Sequence, residues 1–261
     1  MYKHHEESIK NFADKLAKRE DVLGLLVTGS IAHGFEKESS DIDVMIIVSD
    51  EEYNKRLKTS DLTYWENESC TYEDGYIDGK YVCPGFMKKV AELGSEPARF
   101  AFDGAIPVFL KIDSIFDLLR QIVRYPKEKK AENISRFYAQ LQAWKWYYYE
   151  ALKLDNQYLM FQALSNMVLF GGRIILAYNE LLYPYHKWFL KVLEQAEHKP
   201  ADLLDTIQNI FTLRDKVNID KFYTSVEPYA VQVSEKGEWP LRFMLDSELN
   251  WLDGKTPVAD L

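Results

Sequence analysis

The sequence predicts an α+β chain: a strand-rich first part, residues 1–115, followed by an all-α bundle, residues 116–261. Three observations carry this. Residues 23–28 and 41–48 are short apolar runs rich in β-branched residues, and a Gly-Ser turn follows the first of them. From residue 114 onward the period changes: Ile115, Leu118, Leu119, Ile122 and Val123 recur at threes and fours, the spacing of a helix face. No repeat or low-complexity linker separates the two parts, so the boundary rests on the change of period alone.

In chain order, Ile9, Phe12, Leu16 and Ala17 mark a helical face that feeds into the strand at 23–28. That strand ends at Gly29-Ser30. Glycine permits a tight turn in which backbone N–H groups face an anion, and the Ser30 hydroxyl is placed to reach a phosphate. A turn or two of helix and a polar loop, residues 36–40, lead into Asp41-Ile42-Asp43-Val44. Alternation along a strand points Asp41 and Asp43 the same way, about 7 Å apart. Two such carboxylates repel unless a cation sits between them, and hard oxygen ligands suit magnesium, which keeps substrate phosphates in its shell. The plain alternative for each motif alone is a solvated strand end and a common turn.

Residues 51–57 read as a short surface helix, and a polar stretch leads to Tyr76-Ile77-Asp78-Gly79-Lys80. This segment has two readings. Asp-Gly between β-forming residues signals a two-residue hairpin, whereas a continuous strand puts Tyr76, Asp78 and Lys80 on one face. Residues 84–93 look helical, and residues 99–113 supply at least one further strand, with a turn at Asp103-Gly104 and Pro107 favouring an edge.

The helical half begins with a helix that Pro126 ends. Residues 134–154 follow, dense in Trp and Tyr; Trp144, Trp146 and Tyr147 to Tyr149 are of a kind to stack a base or sugar, or to pack as core. A third helix spans 159–180, with Gly171-Gly172 inside it, and Tyr183-Pro184 breaks the chain before a restart near Lys187. Residues 203–219 read as one amphipathic helix, and 221–252 as short turns with a last helix around 241–252.

Composition excludes several classes. At 261 residues with 47% hydrophobic and 28% charged residues, the chain is an ordinary globular one. A formal net charge of -9 argues against duplex DNA as a partner. Cys70 and Cys83 stand apart from any metal-ligand spacing, so reduced core thiols in a cytoplasmic setting are expected. The charged N-terminus lacks the apolar run of a secretion signal, and His4-His5 read as surface residues of a mobile terminus. The longest apolar stretch, 167–178, falls short of a membrane span, so no membrane partner is expected. Neither a P-loop nor a G-x-G-x-x-G fingerprint is present.

Taken together, Gly29-Ser30, Gly34 and Ser40-Asp41-Ile42-Asp43 resemble the signature of the DNA polymerase β-like nucleotidyltransferase superfamily, a resemblance that covers the first ~110 residues. It implies a mixed β-sheet carrying two magnesium ions, a nucleoside triphosphate held by Gly29, Ser30 and Ser40, and metals held by Asp41 and Asp43. The superfamily usually places a third carboxylate on the neighbouring strand, which makes Asp78 the candidate and Asp74 its substitute; Glu73 and Asp103 are further possible bases that nothing local selects. The residues 173–188 resemble the C-terminal helical domain of small-molecule nucleotidyltransferases of the kanamycin and aminoglycoside type. By that resemblance Lys187 reaches toward the triphosphate, and Arg173 is either phosphate-facing or an ordinary helix cation. The expected activity is transfer of a nucleoside monophosphate, AMP from ATP, to a hydroxyl of a small molecule. Adenylylation of a protein hydroxyl and a non-catalytic nucleotide-binding module are the alternatives.

Overall fold

Val22–Val27 forms strand β1, with Ile42–Val48 as β2, Thr63–Glu66 as β3, Ile77–Val82 as β4 and Ile106–Leu110 as β5. They build one mixed five-stranded sheet in the order β3-β4-β2-β1-β5. β1 runs antiparallel to β2 and β5, β2 parallel to β4, and β3 antiparallel to β4. The computed structural model describes residues 1–233 and 239–254; residues 234–238 and 255–261, which the sequence assigns to the helical part, lie outside the described residues.

Helix α1 (Lys3–Leu16) lays Ile9, Phe12 and Leu16 on one face of the sheet, against Leu25, Val27, Val44, Ile46 and Ile77. The chain then makes α2 (Gly29–Ala32), a single turn, and α3 (Asp50–Lys58), capped by the Ser49 hydroxyl, which accepts from the Glu52 N–H. Helices α4 (Pro84–Leu93), α5 (Glu96–Phe100) and α6 (Ser114–Ile122) cover the opposite face, where Leu26, Met45, Ile47 and Val82 meet Met87, Val90, Ile115 and Ile122. Arg99 ties this layer together by donating to the carbonyls of Ala91, Gly94 and Ile122. Because α6 packs on α4, the first compact unit runs to Arg124 rather than stopping at 115.

The second unit, Tyr125–Leu261, is helical throughout its described elements. Its long helices α7 (Lys130–Lys153) and α8 (Gln157–Tyr178) pack along each other, followed by α9 (Phe189–Gln195), α10 (Leu203–Leu213), α11 (Lys216–Val231) and α12 (Trp239–Asp246). The apolar run at 167–178 is the end of α8, a 22-residue helix long and apolar enough to cross a bilayer; 56% of its most apolar window is buried inside the fold, as in a core helix. Gly171 and Gly172 let Phe222 and Phe189 approach it. The single helix expected over 203–219 is two. Arg214 adopts a left-handed φ of 54°, and Asp215 restarts the chain by accepting from the Asn218 N–H. Likewise 221–231 is helix rather than turns, and the last helix ends at Asp246 instead of near 252.

Candidate active site

Strand β1 delivers Gly29-Ser30 to the edge of the same sheet face on which β2 and β4 present carboxylates. Asp43 and Asp78 are register partners on the parallel strands β2 and β4, so they stand side by side on one face at the interstrand spacing. Asp78 therefore sits inside a strand, and the Asp-Gly hairpin reading fails. Gly79 explains why an Asp-Gly pair occurs there: a Cβ at that position would come within 2.5 Å of the Val44 side chain and 3.0 Å of the Val44 carbonyl oxygen, so glycine permits the close approach of β4 to β2. Beyond Asp43 the same row continues as Met45 and Ile47, buried beneath α4 and α6, which leaves the carboxylates at the uncovered end of the first unit's sheet.

Gly29 lies directly against Asp43. Its φ is +61°, and a Cβ built there would fall 2.7 Å from Cβ of Asp43 and closer still to the carboxylate. The Thr28 N–H donates to the Asp43 carbonyl at 2.9 Å, locking turn to strand. Ser30 is buried at the first turn of α2, where the leading N–H groups have no intrahelical acceptor.

Asp41 precedes β2 by one residue and is partly buried. Tyr76 lies beside it: the Asp41 charge first, then burial, with the Asp78 and Asp43 charges adding, raise the phenol above its ordinary value. Ser40 is tied into the turn before β2 by both backbone and side chain. Its carbonyl accepts from Tyr72 Oη at 2.7 Å and from His5 Nε2 at 3.1 Å, while its hydroxyl accepts from the Lys37 N–H at 2.9 Å. The histidines are thus not surface residues of a mobile terminus. His5 is fully buried, and His4 Nε2 holds the Glu38 carbonyl at 2.9 Å, so α1 fixes the loop that presents Asp41. Burial pushes the His5 imidazole below its ordinary value and His4 adds to this, with the Ser40 carbonyl and Glu36 opposing.

Of the other candidates, Glu73 and Asp74 are exposed in the turn before β4, Asp74 at a φ of 56°. Asp103 is raised by burial, with the nearby His33 charge opposing. Lys187 belongs to the second unit, in the turn before α9; it is exposed, with its Nζ 5.2 Å from the Trp188 ring centroid. Arg173 lies between the rings of Phe137 and Tyr183, at 4.1 and 4.6 Å. Cys70 and Cys83 are free thiols.

A divalent cation fits the donor chemistry of the first unit, because the carboxylates of Asp43 and Asp78 stand side by side on one sheet face and the glycine at position 29 leaves room for the Asp43 carboxylate against the turn. Among the described residues no three His, Cys, Asp or Glu side chains converge closely enough to ligate an ion as they stand. Nothing local in the sequence marks Trp65 and Tyr76, beside Asp78, as functional; a strand reading of 76–82 is the signal that brings Tyr76 to this face.

Residues 9–92 match the family model described as "Nucleotidyltransferase domain", a span that contains β1, the Gly-Ser turn, β2 and β4. The chain carries a nucleotidyltransferase domain, and by class it is a nucleotidyltransferase. Such a domain implies a nucleoside triphosphate substrate. Among solved structures, a nucleotidyltransferase-like protein from Exiguobacterium sibiricum 255-15 aligns at 10% identity and a TM-score of 0.48, covering 98% of this chain and 83% of that one. No curated protein matches the sequence.

Proposed function

We propose that the protein transfers AMP from ATP, with magnesium, to a hydroxyl of a small cationic molecule of the aminoglycoside kind in the cytoplasm. The observation that carries this reading is the in-register pair of Asp43 and Asp78 directly beside the Gly29-Ser30 turn. Asp41, Asp43 and Asp78 would hold the metal ions. When bound, such ions stabilise both the entering and the leaving oxygen of an in-line displacement.

The chain's own residues do the rest. Gly29 lets backbone N–H groups and the Ser30 hydroxyl approach the β- and γ-phosphates without a side chain intervening. Ser40 holds the turn that presents Asp41. The acceptor hydroxyl oxygen bonds to the α-phosphorus and the bond from phosphorus to the bridging oxygen breaks. The electron pair leaves with pyrophosphate, and the hydroxyl proton passes to a carboxylate of the cluster. Lys187, a compact cation, is assigned by resemblance to the departing pyrophosphate. An acidic sheet end favours an acceptor bearing ammonium groups.

Incubation with magnesium and each α-labelled nucleoside triphosphate, with and without aminoglycosides, tests the reading. Labelled acceptor from ATP is the expected product; pyrophosphate release that no acceptor stimulates would contradict the small-molecule assignment.

A further inference from the structure

An exposed aromatic pair stands beside the carboxylates and has no part in the chemistry above. Trp65 on β3 is the register partner of Asp78 on β4, so the two side chains share a sheet face. Tyr76, two residues before Asp78, joins them there: the Trp65 and Tyr76 rings stack with centroids 6.3 Å apart and planes at 28°. Core packing does not account for the indole. Trp65 is 63% exposed and Tyr76 36%. The adjacent Tyr64, facing the other way, packs on Phe12 at 5.3 Å. At its inner end the pair meets Asp41, which precedes Ile42 as Tyr76 precedes its register partner Ile77.

Strand order gives the pair a direction. The order β3-β4-β2-β1 places Trp65, Asp78, Asp43 and the Gly29-Ser30 turn in that sequence across the sheet. Given the nucleotidyl transfer proposed above, on which this inference rests, in-line displacement puts the attacking and departing oxygens on opposite sides of the α-phosphorus. With pyrophosphate departing over Gly29-Ser30 on the β1 side, the acceptor hydroxyl enters from the β4 and β3 side, over Asp78.

We infer that Trp65 and Tyr76 form the platform that positions the acceptor. A ring lies with its C–H face on the Trp65 indole and turns an ammonium group toward an aromatic face, an arrangement that an amino sugar satisfies and a neutral apolar ring does not. Trp65 and Tyr76 are positioning residues; neither exchanges a proton or electron pair in the transfer.

The test is calorimetric titration of kanamycin into the full-length protein with magnesium and α,β-methylene-ATP, comparing wild type, Trp65→Ala and Trp65→Phe. The platform predicts that Trp65→Ala weakens kanamycin binding about ten-fold while Trp65→Phe stays within about three-fold of wild type. Affinity for α,β-methylene-ATP, titrated separately, should be equal in all three. Kanamycin binding that ignores Trp65→Ala, a wild type that binds the nucleotide but no kanamycin, or a loss of nucleotide affinity in Trp65→Ala each overturns the platform. The last of these assigns the pair to the nucleobase. A wild type that does not bind α,β-methylene-ATP in magnesium overturns the transferase reading itself, and the platform with it.

Discussion

Gly29 and Asp43 occupy one another's space: the glycine backbone, at a φ of +61°, approaches the aspartate so closely that a Cβ would lie 2.7 Å from that of Asp43. Gly29→Ala therefore combines a left-handed strain with displacement of a proposed metal ligand. It is expected to lower the unfolding free energy by about 1–3 kcal/mol in urea titrations. Transfer should fall by roughly 100-fold, the usual consequence of a misplacement of about 1 Å. Wild-type stability together with wild-type activity would mean that the turn has room the geometry denies it.

His5 supplies a pH-dependent element of stability. Its Nε2 must carry the proton, because the Ser40 carbonyl only accepts, and its buried Nδ1 has no hydrogen-bond partner among the described residues. Burial favours the neutral ring, so the folded pKa lies below the unfolded 6.5. Within that window the unfolded chain binds more protons, so the contribution is complete above pH 6.5 and is lost as pH falls toward the folded value. Thermal unfolding followed across acid pH should show a shallower decline for His5→Gln than for wild type below about pH 6.5. His33, also lowered by burial, leaves a residual slope in both. Identical slopes would remove His5 from the account.

The sheet's two halves differ in how far the sequence reveals them. Asp41, Asp43 and Gly29-Ser30 are legible because the motif is local: one strand, one turn and the next strand within about twenty residues. Asp78 stays ambiguous in sequence because the same Asp-Gly pair serves a hairpin or a strand in close contact, and only pairing with the distant Val44 decides. Trp65 is hidden for a related reason, since β3 is a four-residue edge strand whose facing residues are set by register with β4. In the helical unit the apolar period runs on through 203–219 and conceals the break at Arg214, whose carbonyl is held by the Tyr148 hydroxyl at 2.9 Å; no glycine or proline announces it. His5 is misread because burial near a terminus comes from tertiary contacts with Tyr72 and Ser40.

Lys187 is the one proposed site residue of the helical unit. If it neutralises charge building on the departing pyrophosphate, Lys187→Ala should lower kcat about ten-fold or more with little change in KM for ATP, because only interactions stronger in the transition state speed the chemical step. A rise in KM alone would indicate ground-state binding. Unchanged kcat and KM would return it to an exposed cation beside Trp188.

The central claim, that the carboxylates of β2 and β4 act together on a nucleoside triphosphate, is tested most directly by the transfer rate of Asp43→Asn and Asp78→Asn in magnesium, measured with α-labelled ATP on protein whose circular dichroism matches wild type. The account predicts that each substitution abolishes labelled product, a loss of at least about 1,000-fold, while leaving the fold intact. Full turnover by Asp43→Asn would contradict the account, and full turnover by Asp78→Asn alone would confine the chemistry to β2.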